Sequence, residues 1–388
     1  MQSAKRSGLA LLAWLSVVRA PSAQPQNSLF VAAPPVTVGP GSGQIVFADL
    51  NRDGHIDMLT RHLLQRRIGV WLGNGAGGFT ASPGTPIALD YQPGGIASAD
   101  VNGDGIPDLV ATKSERDEVD VFIGDGNAGF ARAAGSPFAV SASRDFFTRS
   151  VDLADLNDDR RLDVVITNGH DNTIAMLFGN GRGGFAPGPV IARPARADTR
   201  YTFAFGDVDG DGHIDALAAG RAGDETSEPA RIVILRGDGK GAFQDAVGSV
   251  AVPPGPQSMT LADVNGDRRL DLLVTHSHAP SVSVLLNDGG GAFEPAQGSP
   301  FGIDDESFGV GVADANGDGK ADLLAGTAAS VTVLLGDGGG RFIQAAGSPF
   351  RAGPGAYRVS VADINGDGKL DLAAPSFEGN TVTVWLGR

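Results

Sequence analysis

One nine-residue pattern, D-x-[DN]-x-D-x-x-x-D, returns seven times along the chain, starting at Asp49, Asp100, Asp155, Asp207, Asp263, Asp314 and Asp363. The copies lie about fifty residues apart, a period that marks a repeat architecture in which each copy belongs to one structural unit. Between copies the same order of segments recurs. A short run with apolar residues at alternate positions, such as Met259 and Leu261, leads into the acidic stretch, and a second run follows, from Leu270 to Thr275. After a variable polar loop comes a third run, Ser281 to Leu286. A glycine-rich turn, Asn287 to Phe293, then opens a fourth stretch that contains Ser299-Pro300-Phe301. Period-two patterning, β-branched residues and closely spaced glycine turns indicate strands, not helices. Four short strands per repeat, seven times over, predict an all-β fold, a seven-bladed β-propeller of four-stranded blades.

The chain ends suit a closed ring. The last repeat stops on its third strand, Thr381 to Arg388, and Phe30 to Val38 precedes the first acidic stretch and looks like a fourth strand such as Phe342 to Phe350. The N-terminal strand is therefore expected to complete the last blade, which leaves no long open edge. Further upstream, Lys5 and Arg6 precede an apolar run from Leu9 to Val18, followed by Arg19-Ala20-Pro21-Ser22-Ala23. That is the order of a secretory signal, and the run is about half the twenty residues a membrane-spanning helix needs. A buried helix is the alternative reading. The expected organisation is a signal peptide over 1–23, cut after Ala23 or Ala20, and one propeller over 24–388, secreted or periplasmic, with no transmembrane span. Cysteine is absent, which excludes a lipid anchor, a disulfide scaffold and any thiolate metal site. The formal charge of −15 argues against a nucleic-acid partner.

Much of that charge sits in the repeated pattern, whose ligand positions hold 22 of the 45 acidic residues. Positions 1, 3, 5 and 9 are Asp49, Asn51, Asp53 and Asp57 in the first copy and Asp100, Asn102, Asp104 and Asp108 in the second. They are Asp155, Asn157, Asp159 and Asp163 in the third, and Asp207, Asp209, Asp211 and Asp215 in the fourth. The fifth has Asp263, Asn265, Asp267 and Asp271, and the sixth Asp314, Asn316, Asp318 and Asp322. The seventh has Asp363, Asn365, Asp367 and Asp371. Such a set gathers hard oxygens in one tight turn, and calcium takes about six to eight of them, with the carbonyl of position 7 and water to complete the shell. Up to seven Ca2+ ions are expected. An EF-hand would need a glutamate at position 12, where Thr60 and Ala111 stand in the first two copies. The alternative is a set of polar surface turns, with Asp and Asn bonding their own backbone. Position 6 is glycine except for Arg160 and Arg268, where left-handed backbone costs roughly 1 kcal/mol or more. The third and fifth sites should thus be weaker, or their turns different. His55 and His213 fill position 7, with rings expected to face solvent.

The acidic loop, the later Gly-Asp-Gly-x-Gly-x-Phe turn and the fifty-residue period resemble FG-GAP/VCBS repeats, the units of the integrin α-subunit propeller. The likeness covers about Phe30 to Arg388. It implies calcium in the loop between the first two strands of each blade, held by positions 1, 3, 5 and 9 and the position 7 carbonyl. Phe-Gly and Gly-Ala-Pro at the blade starts are largely missing, which places the chain nearer the bacterial VCBS-type branch. All seven copies are acidic, unlike integrin propellers, so integrin-style ligand recognition does not transfer.

Loops 1–2 and 3–4 of a blade share one face, so the acidic loops leave the opposite face to carry variation, where function tends to sit. Six positions before each first aspartate stand Gly43, Gly94, Arg149, Tyr201, Gln257, Phe308 and Tyr357. If first strands line the axis, these form a ring at one mouth of the channel. Arg149, Tyr201, Gln257, Phe308 and Tyr357 would suit an extracellular glycan or protein ligand; alternatively they plug the channel. Asp152, on a small or apolar first strand, is either a second channel residue or a buried side chain held by backbone amides. The expected function is a binding or adhesion module with structural calcium. A polysaccharide lyase or hydrolase is the rival, using carboxylates such as Glu115, Asp145 or Glu306, although no catalytic motif is present. His276 and His278 are expected in a loop, without a catalytic metal.

Overall fold

A computed structural model describes residues 28–140, 148–168, 173–192, 203–220, 229–244, 248–277 and 279–388. Seven antiparallel sheets follow one another along the chain as the blades of a propeller, and no helix occurs among the described residues. Blade two shows the plan: Pro93–Ala99 is innermost, then Asp108–Lys113, Glu118–Gly124 and the outer Phe130–Arg132. Each second strand is flanked by partners within its sheet and by neighbouring blades across both faces. Runs such as Leu109-Val110-Ala111 and Leu272-Leu273-Val274 are consequently apolar without alternation and fully buried.

The hydrophobic cores lie between blades. Leu59, Ile68 and Val70 of blade one pack with Ile96, Leu109 and Phe122 of blade two, and the same arrangement continues around the ring. The ring closes as the sequence predicts. Phe30–Ala32 and Val36–Thr37 pair antiparallel with Thr381–Gly387, and Val36 and Val38 join Met58, Val382 and Val384 in the core between blades seven and one. The signal reading falls on residues outside the described ones.

The fourth strand is not the single stretch that the sequence suggests. In blades one, two, five and six it breaks at Thr85-Pro86, Ser136-Pro137, Ser299-Pro300 and Ser348-Pro349. Proline has no amide to donate, and the break leaves a third-strand amide without a ladder partner. The hydroxyl before each proline accepts it: Thr85 from Val70 at 2.8 Å, Ser136 from Val121 at 3.1 Å, Ser299 from Val284 and Ser348 from Val333 at 2.9 Å.

Candidate functional site

The seven acidic stretches form one turn, built by hydrogen bonds from backbone amides to carboxylates. In blade one the amides of Asp53 and Gly54 donate to Asp49 at 3.2 and 3.0 Å, and His55 donates to Asp53 at 2.8 Å. The turn needs left-handed backbone at positions 4 and 6, and glycine occupies both in blades two, four, six and seven. Arg160 and Arg268 adopt that conformation too, at φ 64° and 68°, and their amides reach Asp155 and Asp263 at 2.7 and 2.8 Å. The turns of blades three and five thus keep the common shape. Position 4 escaped the sequence reading: Arg52 and Asp158 are left-handed there, at 61° and 58°.

Position 9 does more than the ligand spacing suggests. Each of these aspartates is fully buried, and its two oxygens accept amides from the loop and from the end of the third strand. Asp57 takes Leu50 at 2.9 Å and Gly73 at 2.8 Å; Asp163 takes Leu156 at 3.0 Å and Gly179 at 2.8 Å; Asp322 takes Ala315 and Gly336. Asp108, Asp215, Asp271 and Asp371 repeat the scheme. Burial raises the pKa of all seven, nearby loop carboxylates raise it further, and the amide bonds oppose the shift. Asp163 is raised to about 6.

The donor set suits a hard cation. In blade four, carboxylate oxygens of Asp207, Asp209 and Asp215 lie within 4.8 Å of one another, with Asp211 outside that group. Positions 1, 3 and 9 therefore converge; in the other blades position 3 offers an asparagine carbonyl oxygen. The Arg236 guanidinium lies 2.8 Å from Asp209 as an ion pair, without hydrogen-bond alignment at Nε, and also donates to Gly290 of blade five at 3.3 Å. The equivalent residue is apolar in the other six blades: Leu72, Ile123, Phe178, Leu286, Leu335 and Leu386.

These loops also join the blades. The Leu50 and Val101 carbonyls accept the amides of Ala128 and Gly183 from the following blade, and Asn287 Nδ2 donates to Val208. Arg52 donates to the Asp104 carbonyl at 3.1 Å. His213, expected to face solvent, places Nδ1 2.6 Å from Asp158 of blade three, and that contact raises its pKa. His55 is exposed.

At the centre of the ring a cavity of about 490 Å³ opens between the innermost strands. Gln257 and Phe308, singled out for the channel mouth, line it, and Tyr357 packs edge-on against Phe308 at 4.7 Å between centroids. Arg149 belongs to the innermost strand Thr148–Ala154, while Tyr201 lies outside the described residues. Asp152 opens into the cavity, with no backbone amide holding it among the described residues. Arg358, which the sequence reading passed over, shares that cavity. Glu115 and Glu306 are exposed, Glu115 being 3.9 Å from Arg66; Asp145 is outside the described residues. His276 is no loop residue: it ends the strand Asp271–His276, buried, with Nε2 2.8 Å from Ser283, and burial lowers its pKa to about 4. His62 likewise ends the second strand of blade one, buried, with Nε2 2.9 Å from Thr60 of its own strand. His278 lies outside the described residues.

The sequence profile of the FG-GAP-like repeat matches residues 64–111, 100–166, 155–218, 263–325 and 314–374, more than half of the chain. The chain belongs to the FG-GAP repeat family. It is 28% identical over 140 residues to the human T-cell immunomodulatory protein, a match that covers 35% of this chain and only 22% of that protein. Among solved structures, BBS1N in complex with ARL6DN superposes with a TM-score of 0.63 at 12% identity, over 93% of this chain and 97% of the other. An Agrocybe aegerita lectin that recognises non-reducing terminal N-acetylglucosamine gives 0.53 at 19% identity, over 91% and 86%. At such identities these neighbours establish the fold alone. The FG-GAP propeller is a scaffold consistent with a binding module, and no helix among the described residues is long and apolar enough to cross a membrane.

Proposed function

We propose that this FG-GAP propeller is an exported, calcium-stiffened binding module that takes an extracellular glycan or protein ligand on the face opposite its acidic loops. The observation that carries the reading is the double duty of those loops. The same turns that gather carboxylates also make the bonds between successive blades. A cation bound by positions 1, 3, 5 and 9 would neutralise charge that burial and mutual repulsion make costly. It would thereby hold each blade against the next, and a preorganised ring loses less entropy when it binds. Up to seven Ca2+ ions fit this scheme, with sites three and five weaker because Arg160 and Arg268 strain the turn. On the ligand side, Gln257 and Phe308 line the channel and Tyr357 supports Phe308, which supplies an amide and aromatic surface for a sugar or a peptide. A glycan-recognising lectin and a propeller in complex with a protein among its structural neighbours suit both ligand classes.

A glycan array probed with purified protein, with calcium and with chelator, tests this reading. Calcium-dependent binding that Gln257→Ala and Tyr357→Ala weaken, with unchanged melting temperature, is expected. Binding indifferent to both substitutions would remove the channel mouth from the account.

A further inference from the structure

Beside the mouth residues, two opposite charges face the same lumen. Asp152 projects from the innermost strand Thr148–Ala154 of blade three, and Arg358 stands just before the innermost strand Ser360–Ala362 of blade seven, across the ring. Both side chains are open to the cavity although protein surrounds them. Neither is held by a hydrogen bond or a salt bridge among the described residues. They do sense each other. Burial pushes the Asp152 carboxyl up and the Arg358 guanidinium down, and each opposes the other's shift.

Three of the neighbouring polar side chains are already committed. Gln44 exchanges two hydrogen bonds with the Ile96 backbone at 2.9 and 3.1 Å, the Thr260 hydroxyl donates to Val310 at 2.9 Å, and Ser150 bonds Thr167. Asp152 and Arg358 thus remain as a separated pair with unused donors and acceptors. Both side chains are exposed to the lumen, so a ligand that enters must offer each a matching charge in exchange for water. A simple anion would satisfy Arg358 and be repelled by Asp152; a simple cation would do the reverse. One small molecule carrying both charges answers both groups and leaves their pairing neutral. It also meets no net repulsion from a chain of formal charge −15. The cavity volume lies in the range of small-molecule sites. Phe203, Phe205 and Met259 add apolar wall against which a short side chain can rest.

We infer that the lumen binds a small zwitterion of the amino-acid class, its carboxylate received by Arg358 and its ammonium by Asp152. The two charges share their cavity with Gln257 and Phe308 of the proposed ligand face.

Calorimetric titration of the full chain with glycine, β-alanine, γ-aminobutyrate and leucine tests it, with acetate and methylammonium as single-charge controls. At least one zwitterion should bind one to one, at least tenfold tighter than either control. The chain length that binds best reports the gap between the two charges. Asp152→Asn and Arg358→Gln should each weaken that binding at least tenfold, with the fold checked by circular dichroism. If either fails to fold, Asp152→Glu and Arg358→Lys keep the charges, and should shift the preferred spacing. No heat with any zwitterion, acetate binding as tight as the best zwitterion, or affinity and spacing unmoved by the substitutions would each overturn the inference. Glycan or protein binding that persists when no zwitterion binds, or zwitterion binding without it, distinguishes failure of this inference from failure of the proposed ligand face.

Discussion

Blade four has glycine at both left-handed positions of its acidic loop, Gly210 and Gly212, where blade three has Asp158 and Arg160. The two turns still make the same bonds. The amides of Gly212 and Arg160 reach Asp207 and Asp155 at 2.9 and 2.7 Å, and Asp215 and Asp163 each tie the loop to the third strand. They differ in charge. Blade four adds a fourth carboxylate, Asp209, answered by Arg236, whereas blade three has the neutral Asn157 and lends Asp158 to His213 of its neighbour. The carboxylates therefore dictate the turn, glycine only lowers its cost, and the local charge balance is what would set how strongly each turn held the proposed cation.

The sharpest way to break this comparison is to remove its shared element. Asp163→Ala and Asp215→Ala each strand two backbone amides, at about 1–3 kcal/mol apiece, so each variant should lose about 2–6 kcal/mol in urea unfolding. Similar losses in both blades support a common hub; a loss near zero in either would refute it. A smaller effect separates the two loops. Arg236→Leu gives blade four the apolar residue of its neighbours and removes a competing cation, so calcium affinity at that site should rise about tenfold, equivalent to about 1.4 kcal/mol. Unchanged affinity would mean that Arg236 acts only as a strut to Gly290. Next, Arg160→Gly relieves left-handed strain in blade three and should stabilise the protein by roughly 1 kcal/mol, with tighter binding at the third site. The same change in melting temperature with and without calcium would disconnect strain from affinity.

The smallest expected effect is on pH. The folded pKa of Asp163, about 6, lies above its unfolded value of about 3.9, so the folded state holds its proton more firmly in that window. Without metal, this carboxyl's contribution to stability falls as pH rises from about 4 to 6. With calcium bound the carboxylate form is favoured, and protons compete with the ion. The gain in melting temperature from calcium should therefore shrink between pH 7 and pH 5, which scanning calorimetry at several pH values would show. A gain independent of pH would dissociate position 9 from the cation.

The propeller was legible because its signals are local: alternating first strands, unbroken second strands, glycine turns and a seven-fold period. Ring closure was legible as well, since Phe30 to Val38 matched the missing fourth strand of the last blade. The hub role of position 9 was not, because a carboxylate that ligates and one that accepts amides occupy the same place in the pattern. Arg236 could have been found by aligning the seven copies, where it alone breaks a column of apolar residues. Arg358 could not, since the facing of Asp152 and Arg358 depends on which first-strand side chains the ring turns inward. His276 was misplaced because the second run was ended at Thr275, whereas the strand runs through His276 into a buried bond with Ser283.

The most direct measurement is differential scanning calorimetry of the purified protein, metal-free and replete, beside a calorimetric calcium titration. With calcium a hundredfold above its dissociation constant, each independent site should add about 2.7 kcal/mol, so the replete protein should melt far above the stripped one and show multiple binding equivalents. Superimposable transitions together with no heat of calcium binding would contradict the account.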